Sequence, residues 1–177
     1  MGEGNALRSN RISETPDLLG ESPVWDAEYQ RLFWVDSVRA LLHCYTPDTG
    51  EFRDFDMPSA IGSVGLAEGN RVVVGLADGV YLVDIDAGSI EPIFKLDPPN
   101  SKVRFNDGRV DRQGRFVTGT MARFEDEPLG ELYRIAGQNG QADLLANGIR
   151  ITNTLCFGAN GDEMYFADTL DRMVRKY

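Results

Sequence analysis

The sequence predicts an all-β protein built as a β-propeller, and three observations predict it. No eleven-residue stretch carries an apolar period of 3.6, so helices are not expected. Short strand-like runs recur between polar turns, starting at Arg31, Arg71, Arg115 and Glu163. These starts lie 40, 44 and 48 residues apart, close to the roughly 40 to 50 residues of one four-stranded blade.

The four repeats follow one another along the chain. In the first, an apolar run ends near Val24, and the turn Ala27-Glu28-Tyr29-Gln30 leads into R-L-F-W-V-D from Arg31. A third run covers Leu42 to Tyr45, and Pro47-Asp48-Thr49-Gly50 turns the chain into Glu51 to Phe55. The second repeat has a run ending near Leu66, then R-V-V-V-G-L, Val80 to Val83, and Ile90 to Lys95. The third has a run ending near Val110, then R-F-V-T-G-T, Glu131 to Ile135, and Gln141 to Leu145. The fourth has a run ending near Phe157, then E-M-Y-F-A-D, and Met173 to Tyr177. Glycine and asparagine mark the turns, as reversals require.

The blades are expected near 17–57, 58–98, 99–147 and 148–177, after a polar tail at 1–16. The last stops in its third strand, so about three and a half blades are present. A propeller closes its ring with about four to eight blades. The sequence therefore reads as cut short, with an open edge. Downstream residues, a second chain or a swapped dimer would cover that edge. A sandwich of evenly spaced strands is the competing architecture, but it need not repeat its turn chemistry.

Composition narrows the function. A net charge of −10 argues against nucleic acid as a partner. No apolar run is long enough to cross a membrane, and none near the N-terminus reads as a signal peptide. Cys44 and Cys156 sit in the apolar contexts L-L-H-C-Y and T-L-C-F. Both are expected to be buried thiols in a reducing compartment, which points to the cytoplasm.

The repeat itself selects candidate site residues. The first strand of each blade lines the central channel. About ten residues before each second strand stand Glu21, then Ile61-Gly62-Ser63, then Asn106 and finally Asn153. One carboxylate and two amides thus occupy equivalent inward positions. Such hard oxygen donors suit Ca²⁺, Mg²⁺ or Mn²⁺. A zinc site built on histidine or thiolate is not supported, because no cysteine lies nearby and His43 is on another strand. Arg104, two residues before Asn106, shares its face on a regular strand and could hold a hydroxylated or anionic ligand. The competing reading pairs Arg104 with a carboxylate, caps backbone amides with Glu21 and assigns the asparagines to turns. Asp107 is expected to point away from Asn106 as a supporting residue. Asp36, Asp168 and Asp111 are expected in blade turns, and His43 in the core or on the surface.

Several stretches agree in order and spacing with a known family. They are G-E-S-P-V-W-D at 20–26, R-L-F-W-V-D at 31–36, R-F-N-D-G-R-V-D at 104–111 and G-R-F-V-T-G-T-M at 114–121, followed by I-T-N-T-L-C-F at 151–157 and M-Y-F-A-D-T at 164–169. From about Leu18 onward the chain resembles the senescence marker protein, regucalcin and gluconolactonase family. The resemblance implies a six-bladed propeller that hydrolyses sugar lactones such as glucono- or arabinonolactone to aldonic acids. It implies one divalent metal in the central channel, calcium first, with zinc, magnesium and manganese as alternatives. Glu21 and Asn153 match the family's metal ligands. Arg104 and Asn106 match residues that hold the lactone. Many members follow the asparagine with glycine, where this chain has Thr154. The family's metal-binding aspartate and proposed general base falls in a later blade, beyond Tyr177, so this chain is expected to lack its base. Some members carry an acidic residue after G-T-M, where this chain has Arg123, Phe124 and Glu125. Competing functions are phosphotriester hydrolysis, a non-catalytic calcium- or protein-binding propeller, and an inactive remnant.

Overall fold

The computed structural model describes residues 9–123, 127–137 and 139–177. Phe124 and Glu125 lie outside the described residues. Three four-stranded antiparallel sheets are followed by one of three strands. Blade 1 is β1 (Gly20–Asp26), β2 (Arg31–Asp36), β3 (Leu41–Thr46) and β4 (Glu51–Asp56). Blade 2 is β5 (Ile61–Ala67), β6 (Arg71–Leu76), β7 (Gly79–Asp84) and β8 (Ile90–Lys95). Blade 3 is β9 (Val103–Val110), β10 (Phe116–Ala122), β11 (Gly130–Ala136) and β12 (Gln141–Ile149). Blade 4 is β13 (Thr152–Phe157), β14 (Met164–Asp168) and β15 (Met173–Lys176). Every sheet runs in chain order from inside to outside. The first strands β1, β5, β9 and β13 neighbour one another in that order, which makes the arrangement a propeller.

Strand alternation explains why the blades stack. Successive side chains leave opposite faces of a strand. On β6, Val72 and Val74 join a core between blades 1 and 2 with Phe33, Leu42 and Ile61. Val73, between them in sequence, joins Phe105 and Phe116 on the other face. On β10, Phe116 faces blade 2, and Val117 faces blade 4 with Leu155 and Phe166. Blades 2 and 3 are therefore buried on both faces, which is why β6 and β10 read as nearly unbroken apolar runs.

The turns repeat as chemistry. Asp26 Oδ1 accepts the amides of Glu28 and Tyr29, while Oδ2 accepts Arg31 Nε at 2.9 Å. Asp111 does the same in blade 3, with Gln113 N, Arg115 N and Arg115 Nε at 2.7 Å. Asp36 and Asp168 end equivalent second strands, and each collects the amides just before the first strand of its own blade: Leu18 and Leu19 for Asp36, Arg150 and Ile151 for Asp168. His43 is buried on Trp34, with Nδ1 2.6 Å from Asp54 and Nε2 3.2 Å from Asp17.

One expectation is corrected. Cys44 is buried, but Cys156 is exposed. β13 breaks register against β14 between Asn153 and Cys156. That shift puts Leu155 into the core and turns its neighbour Cys156 outward. A one-residue slip moves every later side chain to the other face.

Candidate functional site

All four first strands carry a register break at the same height, opposite the end of the second strand. A bulge re-aims side chains and sharpens the local twist. Glu21 pairs with Val35, and Asn153 with Ala167 at the matching place in blade 4. In blade 3 the break falls at Asn106 and Asp107. In blade 2 it falls at Gly62. Glu21, Gly62, Asn106 and Asn153 are thus equivalent positions on four neighbouring strands.

Gly62 is glycine for a steric reason. A Cβ there would lie 2.5 Å from the carbonyl oxygen of Asn106 and 2.6 Å from its Cα. Blade 2 gives up a side chain at this position so that the strand carrying Asn106 can come close.

Arg104 and Asn106 are brought together. Arg104 Nη1 donates to Asn106 Oδ1 at 2.8 Å and to the Phe105 carbonyl at 3.0 Å. Asn106 is buried, and its Nδ2 donates to the Thr152 carbonyl at 2.9 Å. Both ends of this amide are therefore committed. Asn153 is only half-buried, and its Nδ2 donates to Thr169 Oγ1 at 2.8 Å. Its Oδ1 keeps its acceptor capacity.

Glu21 is half-buried and makes no hydrogen bond or ion pair among the described residues. Burial pushes its carboxyl up, Arg104 draws it part of the way back, and Asp107 adds to the rise. Burial also draws the Arg104 guanidinium down, Glu21 opposes this, and Arg123 reinforces it. Arg104 is thus the cationic neighbour that Glu21 feels, without a direct contact. Arg123 Nε is fastened to the Val103 carbonyl at 3.0 Å.

Asp107 does turn away from Asn106, and it reaches the next blade. Its Oδ2 accepts Leu155 N at 3.1 Å and its Oδ1 accepts Gly108 N at 2.9 Å. Thr154 N also donates to this carboxylate. Burial pushes the Asp107 carboxyl up, and these amides moderate the rise.

The side chains at these positions are hard oxygen donors. Glu21 offers a carboxylate, and Asn153 an amide oxygen, without a partner among the described residues, the ligand types that calcium and magnesium take. Their donor chemistry is compatible with such a cation, which takes further oxygen ligands to complete its coordination. Among the described residues, no group of three His, Cys, Asp or Glu side chains is placed to hold a metal. Two surface cavities, of about 530 and 590 Å³, are lined by none of these four residues. One lies between blades 2 and 3 and the other between the N-terminal segment and blade 1.

Sequence reasoning missed Thr169 and Thr152 as partners of the asparagines, and it missed the cross-blade reach of Asp107. The one available signal was the aspartate following Asn106, at a position where blade 1 has Ser22.

Residues 19–177 match the family model described as the SMP-30/gluconolactonase/LRE-like region. The chain is 33% identical over 166 residues to a 6-deoxy-6-sulfogluconolactonase of Pseudomonas putida, covering 94% of this chain and 57% of that protein. It is 30% identical over 172 residues to an L-arabinolactonase of Azospirillum brasilense, covering 96% and 57%. Among solved structures it resembles a calcium-binding protein, regucalcin, from Agrobacterium tumefaciens, with a TM-score of 0.86 and 27% identity. That match covers 93% of this chain and 55% of the other. The chain thus spans a little over half the length of these relatives.

Proposed function

Starting from a chain that belongs to the SMP-30/gluconolactonase/LRE-like family, we propose that the protein hydrolyses a sugar lactone to its aldonic acid with the help of one divalent metal. The observation that carries this reading is Glu21, a half-buried carboxylate without a partner among the described residues, at the same ring position as Asn153. Two relatives that act on lactones by name support the substrate class. Calcium is the first choice, because a solved relative is described as calcium-binding.

Glu21 and Asn153 Oδ1 would hold the cation. Such a cation supplies Lewis acidity toward a carbonyl and lowers the pKa of water. Arg104 has Nε and Nη2 without protein partners among the described residues, and these donate to the hydroxyl or carbonyl oxygens of the lactone. A guanidinium so braced orients its ligand, and positioning accelerates the reaction. Asn106 acts by holding Arg104 through Oδ1 and the fourth blade through Nδ2. The proton of the attacking water needs a carboxylate base. Asp107 does not supply it, since amides occupy both its oxygens. The base would come from outside this span of residues. The outer edge of β15 is unpaired among the described residues, and a pairing strand would satisfy its amides and carbonyls. The cytoplasm suits two cysteines that are both free thiols.

The test is acid release from glucono- and arabinonolactone, run beside a phosphotriester. Turnover of lactones alone supports the reading. Metal binding without turnover of either would favour a calcium-binding propeller instead.

A further inference from the structure

Neighbouring first strands are fastened to each other by one repeated contact. Ser22 Oγ accepts Val64 N at 3.1 Å, from blade 1 to blade 2. Asp107 Oδ2 accepts Leu155 N at 3.1 Å, from blade 3 to blade 4. The positions correspond. Ser22 follows Glu21 as Asp107 follows Asn106, and Val64 lies two residues past Gly62 as Leu155 lies two past Asn153.

The ring does not need this contact everywhere. Between blades 2 and 3 the equivalent residue is Ser63, whose buried Oγ has no hydrogen-bond partner among the described residues. A hydroxyl suffices between blades 1 and 2. Between blades 3 and 4 the same task is given to a carboxylate, whose burial costs more. The carboxylate gathers three amides, those of Gly108, Thr154 and Leu155. Two of these belong to the bulge that begins at Asn153. Within that bulge Thr154 is held at φ 57°, a conformation that β-branched residues avoid.

We infer that Asp107 is a positioning residue for Asn153: it pins the Thr154–Leu155 bulge from the neighbouring blade, so that the Asn153 amide oxygen is presented at the ring position equivalent to that of Glu21. This rests on the reading of Glu21 and Asn153 as a metal-binding pair. Asp107 itself touches neither metal nor lactone.

The test compares wild type, Asp107→Asn and Asp111→Asn by manganese titration calorimetry and by NMR of labelled protein. Asp107→Asn is expected to weaken manganese binding by about tenfold or more, to speed amide exchange at Leu155 and to shift the Asn153 side-chain amide resonances. Asp111→Asn removes a carboxylate from the turn that follows the same strand, and it should lower the melting temperature with manganese affinity unchanged. If wild type binds manganese and Asp107→Asn binds it equally, the inference fails while the metal reading stands. If wild type binds none, the metal reading fails and the inference with it. Should Asp107→Asn not fold, Asp107→Ser restores the hydroxyl acceptor that blade 1 uses and is judged by the same readouts.

Discussion

The side-chain amide of Asn106 donates to the Thr152 carbonyl at 2.9 Å, across the boundary between blades 3 and 4 and one residue before Asn153. With Arg104 on its oxygen and Thr152 on its nitrogen, Asn106 links the residue read as holding the lactone to the strand read as holding the metal.

That link depends on how close blade 2 comes. Gly62→Ala would place a methyl 2.5 Å from the Asn106 carbonyl oxygen, where backbone must shift to admit it. A loss of about 1–3 kcal/mol is expected, as for overpacked cores. Urea denaturation measures it. An unchanged midpoint would mean that blades 2 and 3 are less tightly apposed than described.

Thr154 offers the opposite change. Its left-handed φ of 57° costs an L-residue about 1–2 kcal/mol. Glycine removes that cost but gives back about 0.4–1 kcal/mol of unfolded-state entropy. Thr154→Gly should therefore raise stability by about 0.5–1 kcal/mol, read by thermal denaturation.

Asp36 makes stability depend on pH. Burial works to raise its carboxyl, but the amides of Arg39, Leu18, Val38 and Leu19 together hold it below the usual value. A carboxylate with a depressed folded pKa stabilises fully above its unfolded pKa, and that contribution is lost as pH falls through the folded one. Stability should decline as pH drops below about 4, the ordinary aspartate value. Asp36→Asn should be less stable than wild type at pH 7 and show a shallower decline. Equal slopes in melting temperature against pH would contradict this.

Arg104→Lys keeps the charge and loses the planar fork. Lactone KM is expected to rise by about tenfold, with a smaller change in kcat. A fall in kcat at constant KM would place Arg104 in the chemical step instead.

Much of this was legible in the sequence, and the reason is geometric. Turn chemistry such as the Asp26–Arg31 and Asp111–Arg115 pairs recurs with the blade, so the strands could be counted. The inward position lies ten, nine and ten residues before Arg31, Arg115 and Glu163, so counting back from them reached Glu21, Asn106 and Asn153. Bulges were not legible. One extra residue in a strand leaves the apolar runs intact, yet it reversed Cys156 and sent Asp107 into the next blade. The setting of His43 was hidden for another reason. Its partner Asp17 comes from the segment before the first strand, which follows no repeat.

In the proposed function Glu21 is the carboxylate that holds the metal of a lactonase. The most direct measurement is gluconolactone hydrolysis, corrected for spontaneous opening, by the assembly in which a further segment or chain supplies the base, stripped of metal, reloaded with calcium, and carrying Glu21→Gln. Stripping should abolish turnover, calcium should restore it, and Glu21→Gln should lose at least about a hundredfold in kcat/KM, some 2.7 kcal/mol of transition-state stabilisation. Undiminished turnover by Glu21→Gln, or by the stripped protein, would contradict this function.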